Sequence, residues 1–283
     1  MGFDMLEHEP WIRLSLFLGV LLVVMGLELR WPRRKLVMSR WRRWRSNLGL
    51  VVLNGLLVRL ILPVAAVALA VRTQEAGWGL FSWLDWPGWL EMVLAVVLLD
   101  LAIYLQHVLF HAAPACWRLH MVHHVDCDYD VTTGLRFHPI EILLSMLIKL
   151  TLVTALAPPP EAVLLFEVIL NGMAMFNHGN FRIKPVLDRK LRLLLVTPDM
   201  HRVHHSVVPG EANSNFGFNL SLWDRLFGTY RAQPKLGHEK MEIGVSNIGF
   251  GKGVTFLEAL KLPFVISDLG AYPIQKRNFG DSD

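Results

Sequence analysis

Leu99–His124, LDLAIYLQHVLFHAAPACWRLHMVHH, carries an apolar run directly into two histidine motifs. The apolar stretch that contains its start, Leu90–Phe110, is close to the roughly 20 residues needed to cross about 30 Å of hydrocarbon. HVLFH sets His107 and His111 four residues apart, and HMVHH sets His120, His123 and His124 at spacings of three and four. On a helix these spacings share one face, so each motif aims its imidazoles at one point. A span that ends in converging imidazoles points to a helical membrane protein with a metal site at one end of its bundle.

The rest of the chain agrees in character. Of 283 residues, 53% are hydrophobic and only 18% charged, with a mean hydropathy of +0.38. That is too apolar for an ordinary soluble domain. Eight of the 28 Lys and Arg residues fall between Arg30 and Arg45. They read as a membrane-flanking loop and not as a nucleic-acid surface. Two cysteines, Cys116 and Cys127, with no CxxC, exclude a disulfide scaffold, an iron–sulfur cluster and a cysteine-based zinc finger. The N-terminal MGFDMLEHEPW lacks the basic region of a cleavable signal, so the first apolar stretch is expected to be a retained span.

Hydropathy marks three full spans, Trp11–Leu29, Leu48–Val71 and Leu90–Phe110. Two shorter stretches, Ile140–Ala157 and Ala162–Asn177, are split by Pro158-Pro159-Pro160 and read as a helical hairpin. Asn54 and Arg59 lie within the second span, so one of its faces should meet protein or water. The basic run places the Arg30–Arg45 loop in the cytoplasm and every histidine cluster on that same side. From Phe181 onward no further span is expected. Gly249–Gly253 reads as a hinge, and Thr255–Phe264 as an amphipathic segment on the membrane surface. The expected fold is therefore all-α: about three transmembrane helices, a hairpin and a cytoplasmic histidine-rich cap, one membrane domain over residues 1–283.

Ten of the twelve histidines lie between His107 and His205. After the first two motifs come RFHP (His138), FNHGN (His178) and HRVHH (His201, His204, His205). One HxxHH is expected by chance in roughly 2% of such chains, so two of them beside an HxxxH point to metal. Eight clustered imidazoles exceed what one four- to six-coordinate ion uses, which implies two metals. Asp100, seven residues before His107, either orients a ligating imidazole or is a buried carboxylate satisfied by Asn54 or Arg59. Asp199 either supports His201 in the same way or caps the helix that carries it. Asn177 and Asn180 flank His178 in similar positions.

The order HxxxH, HxxHH, RxHP, hairpin, FxHxN, HxxHH resembles the fatty acid hydroxylase/sterol desaturase superfamily. The resemblance covers about Asp100 to Arg231 and includes TPDMHRVHHS and NFGFNLSLWDRLFGTYR near its end. It implies that His107, His111, His120, His123, His124, His201, His204 and His205 bind two iron ions, with zinc able to replace iron on purification. His178 resembles a further ligand contributed after the hairpin. His138 either completes a shell or hydrogen-bonds at the hairpin entrance.

The implied activity is oxygen-dependent hydroxylation or desaturation of a lipid taken from the bilayer, with O2 as co-substrate. Unactivated C–H bonds are beyond acid–base chemistry and need a redox metal with oxygen. No GxGxxG opening a βαβ unit and no haem domain is expected, so electrons should come from a separate ferredoxin or cytochrome with its reductase. The basic loop serves either as that donor's docking site or as topology control and anionic-lipid contact. The setting would be a bacterial inner membrane. The alternative reading is a zinc-dependent membrane hydrolase, although HVLFH and both HxxHH motifs lack the internal Glu of HExxH. A metal transporter would need polar groups across several spans at the midplane, not ligands gathered at one end.

Overall fold

The architecture is that of a computed structural model, which describes residues 5–62, 64–246, 248, 253–267, 269 and 274. Among these residues there are helices, turns and three isolated bridges, and no strand. The long helices are α1 (Glu9–Arg30), α2 (Arg40–Ile61), α3 (Ala66–Glu75), α4 (Gly88–Ala112), α5 (Pro114–His124), α6 (Pro139–Leu156) and α7 (Pro160–Asn177). Short helices follow: α8 (Pro185–Leu191), α9 (Pro198–His204), α10 (Pro209–Ala212), α11 (Leu222–Leu226), α12 (Gly237–Lys240) and α13 (Phe256–Val265).

Four stretches are long and apolar enough to cross a membrane: Glu9–Arg30, Arg40–Glu75, Gly88–Ala112 and Pro139–Leu156. Trp11, Leu22, Leu60 and Trp83 stay exposed, as lipid-facing side chains do. The expectation of three full spans is thus exceeded by one, because the first hairpin arm, α6, itself qualifies. Pro139 opens α6 where a missing N–H costs nothing, and α6 then runs for 18 residues. Ala157, in the left-handed region at φ 48°, ends it. The second span is not one straight helix; α2 ends at Ile61 and α3 starts at Ala66.

The basic run is also only partly a loop. Its second half, Arg40 to Arg45, forms the first turns of α2, since arginine is a good helix former and Ser39 stands at the N-cap. Arg43 is buried against Asp126 (2.7 Å) and Asp130 (2.6 Å), which ties α2 to the loop after α5. Burial would raise the Asp126 carboxyl, yet the Arg43 guanidinium holds it down at about 2. Thr255–Phe264, expected on the membrane surface, corresponds to α13, and α13 packs on α2 and α5. Leu50, Trp117, Met121 and Ala259 share that core. Of the expected Gly249–Gly253 hinge only Gly253 lies within the described residues.

The packing pairs bring one end of the bundle together. α7 packs on α1, α3, α4 and α9, and α4 packs on α5. The C-termini of α4 and α7 and the N-terminus of α6 therefore meet α5 and α9 at a single end. Glu28, near the end of α1, accepts from the N–H groups of Val131 (2.7 Å) and Asn180 (2.9 Å) there.

Candidate metal centre

Nine buried imidazoles gather at that end in two groups. His107, His111, His120, His124 and His204 form one, and His123, His178, His201 and His205 the other; within each, the ligand atoms lie within 4.8 Å of one another. The local sequence explains the placement. His107 and His111 occupy successive turns near the end of α4, and Pro114 at the first turn of α5 reverses the chain. That reversal brings His120 and His124 over them: His107 Nε2 lies 3.1 Å from His120 Nε2, and His111 Nε2 lies 3.2 Å from His124 Nε2. His178, the C-cap of α7, places its Nε2 3.1 Å from that of His123 and 3.2 Å from those of His201 and His205. Ring stacking continues between the groups, as His124 and His205 lie 4.5 Å apart at 18°.

The tautomers follow from the partners on the far side of each ring. A carbonyl oxygen only accepts, so an Nδ1 facing one carries the proton. His107 Nδ1 donates to Phe216 O (2.8 Å), His204 to Ser214 O (2.8 Å), His123 to Arg136 O (3.2 Å) and His178 to Ala174 O (2.6 Å). Their Nε2 atoms are left as lone pairs, and those of His123 and His178 face each other at 3.1 Å. Two lone pairs at that distance repel unless a cation lies between them. The His204 Nε2 is also buried, with no hydrogen-bond partner among the described residues. Burial lowers His120 and His178 to about 3, and holds His123, His124, His201, His204 and His205 well below the usual value, neighbouring imidazoles adding to it. Neutral, convergent imidazoles are the form that ligates a transition metal.

The other candidates are placed differently. His138 joins neither group: its Nδ1 caps α6 by accepting from Ile140 N–H (3.2 Å), while Nε2 donates to Leu260 O (3.3 Å). Among the described residues Asp100 makes no hydrogen bond to an imidazole, to Asn54 or to Arg59. It accepts from Trp223 Nε1 (2.8 Å) and Leu220 N–H (3.2 Å), because two helical turns separate it from His107. Asn54 instead donates to Phe137 O (3.0 Å). Asp199 pairs with Arg202 and Arg33 (3.0 Å), and the cap of α9 is Thr197, since Pro198 at N1 fixes the N-cap one residue earlier. Asn177 donates to Phe218 O (2.5 Å) and Asn180 to Arg34 O (2.8 Å), so neither holds His178.

Three supports stand behind the rings; Glu141 and Gly134 escape a sequence reading, whereas Asp224 lies in NFGFNLSLWDRLFGTYR, part of the resemblance. Glu141 Oε1 lies 2.6 Å from His120 Nδ1 and orients that ring; the acid two residues after His138-Pro139 was its only signal. Asp224 accepts from Phe216 N–H (2.7 Å) and Gly217 N–H (2.8 Å) and so fixes the carbonyl that holds His107. Burial raises that carboxyl to about 6. Gly134 is the third: a Cβ there would lie 2.3 Å from Ala174 O and 2.9 Å from His178 Nδ1.

A cavity of about 470 Å³ opens from His107, His120, His123 and His201 into the bundle. Val51, Val58, Ile103, Ile142 and Leu170 give it apolar walls, and Phe137 stacks on His123 at 4.5 Å. Farther along, Lys149 and Glu167 line it as an ion pair of 2.6 Å.

Residues 92–229 match the family described as fatty acid hydroxylase. Ornithine lipid hydroxylase OlsE of Rhizobium tropici is 33% identical over 184 residues, 64% of this chain and 53% of that protein. Alkylglycerol monooxygenase of Xenopus tropicalis is 31% identical over 150 residues, 51% of this chain and 30% of that protein. The human alkylglycerol monooxygenase is 29% identical over 153 residues, 52% of this chain and 31% of that protein. The chain thus spans about half, or less, of the length of these curated relatives. No solved structure matches it. Residues 92–229, which hold all nine clustered histidines, belong to the fatty acid hydroxylase/sterol desaturase superfamily.

Proposed function

We propose that the chain is a membrane-bound, oxygen-dependent lipid hydroxylase with a di-iron centre. The observation that carries this reading is the opening of both histidine groups into one apolar cavity among membrane-spanning helices. The five-histidine group would hold one iron and the four-histidine group the other. Bound iron supplies, with O2, the oxidising power that a C–H bond requires.

The chain's own residues do the rest. The apolar walls take up an acyl or alkyl chain and exclude water from it. His107, His120, His123 and His201 border the cavity, so a carbon seated at its mouth lies beside both groups. Glu141 keeps His120 in one tautomer and orientation, the usual task of a carboxylate behind a ligating imidazole. Hydroxylation is favoured over desaturation by the relatives, which are named a hydroxylase and monooxygenases. A separate ferredoxin or cytochrome would deliver electrons, and the histidine end would face the cytoplasm of a bacterial cell.

Lipid profiling of cells with and without the protein, with His204→Ala as the control, tests the reading. A hydroxylated lipid that requires the wild-type chain and disappears with His204→Ala is the expected result. The same lipid change with His204→Ala would overturn it.

A further inference from the structure

A second cavity, of about 190 Å³, lies between the start of α2, the loop after α5 and the start of α13. Four arginines line it: Arg42, Arg43, Arg45 and Arg136. Among the described residues Asp126 is the one acid in the lining; it takes two hydrogen bonds of 2.7 Å from Arg43 and also faces Arg136, while Asp130 takes Arg43 at 2.6 Å. Arg42, with Glu258 nearby, and Arg45 bring further positive charge to the space.

Arg136 is the telling residue. It is 2% exposed, and its Nη2 has no hydrogen-bond partner among the described residues. Its other donors are used: Nε reaches Val122 O (2.7 Å), and Nη1 reaches Asn47 Oδ1 (2.8 Å) and Ser46 Oγ (3.2 Å). A buried guanidinium nitrogen without an acceptor is costly, and an anion in the adjoining space removes that cost.

On the opposite wall Thr255 and Phe256 line the space at the N-terminus of α13, where the Glu258 carboxylate already accepts from Thr255 N–H (2.8 Å) in a capping box. Gly253, at φ 64°, turns the chain into that position; a Cβ there would meet Met38 Cε at 2.5 Å. At about 30 Å³ per water the space holds roughly six waters, which is ample for a tetrahedral oxyanion.

We propose that this arginine pocket binds a phosphate-type oxyanion, supplied by a phospholipid headgroup or by free phosphate. The site is separate from the cavity that opens to the histidines and does not rest on the proposed activity. Arg136 links them, since its backbone carbonyl holds His123 Nδ1 (3.2 Å).

The test is thermal unfolding of the full chain in phosphate-free maltoside detergent at constant ionic strength. Inorganic phosphate should raise the midpoint saturably by several degrees where chloride does not. Arg42→Gln/Arg45→Gln should abolish the rise, while Arg30→Gln, at the end of α1 and outside the lining, should keep it. Equal effects of chloride and phosphate, or an undiminished rise in the double variant, would overturn the proposal. Phosphatidylglycerol at a few molecules per chain distinguishes the sources. If it raises the midpoint and cancels the phosphate effect, the ligand is a headgroup; if the phosphate effect persists unchanged, it is a soluble phosphate.

Discussion

In the five-histidine group, four Nδ1 atoms are held from behind, by Phe216 O, Ser214 O, Asn213 Oδ1 and the Glu141 carboxylate. In the four-histidine group only His123 and His178 are held, both by backbone carbonyls, and the Nδ1 atoms of His201 and His205 have no partner among the described residues. The two groups adjoin and share helices, yet one has nearly complete outer support with a carboxylate and the other relies on ring packing. Outer partners fix ring orientation and raise ligand basicity. The first group should therefore hold its metal more tightly, and a chelator should strip the second group first.

The largest effects come from removing ligands. His111→Ala in the first group and His205→Ala in the second should each lower product formation by at least about a hundredfold. His205→Ala should keep the better-held metal, whereas His111→Ala should leave only the weaker one. Elemental analysis of the two variants after identical dialysis checks this, and equal retention would break the asymmetry.

Acid should weaken both groups alike. His120 in the first and His178 in the second stay neutral in the folded chain down to about pH 3, against an ordinary value of 6.5. Below 6.5 the unfolded chain binds more protons, so the stability of the metal-free protein falls as pH falls. The slope approaches about 1.4 kcal/mol per pH unit for each such imidazole. Above 6.5 these groups contribute no further change. Unfolding measured between pH 5 and 8 should show the decline on the acid side only; a flat profile would mean the rings are not buried neutral.

Glu141→Gln sharpens the comparison at smaller scale. It should weaken metal binding by about 10–100-fold in the first group and leave the second unchanged. Metal titration of the stripped variant checks it, with equal weakening of both steps as the contrary result. His138→Ala should do least, costing about 1 kcal/mol as a lost helix cap while metal content stays at the wild-type level. A drop in metal content would return His138 to the ligand set.

The same contrast shows what the sequence made legible. Spacing identified the imidazoles, because three- and four-residue intervals on helices put side chains on one face whatever the wider fold. Apolar length likewise located the apolar helices, although it read α6 as a hairpin arm and not as a span and took α2 and α3 as one. The outer supports were hidden for a physical reason: four of them, Phe216 O, Ser214 O, Arg136 O and Ala174 O, are backbone carbonyls that carry no residue identity. Asp100 and Asp199 misled because nearness along the chain stood in for nearness in space. Asp100 faces Trp223 and Asp199 faces Arg33, contacts made only when distant segments fold together.

The most direct test of the account is the metal content of active protein, purified without oxygen and reconstituted with ferrous iron. The account predicts about two irons per chain and reductant- and O2-dependent lipid hydroxylation that is lost when either iron is removed. Full activity with one metal per chain, or activity restored by zinc alone, would contradict it.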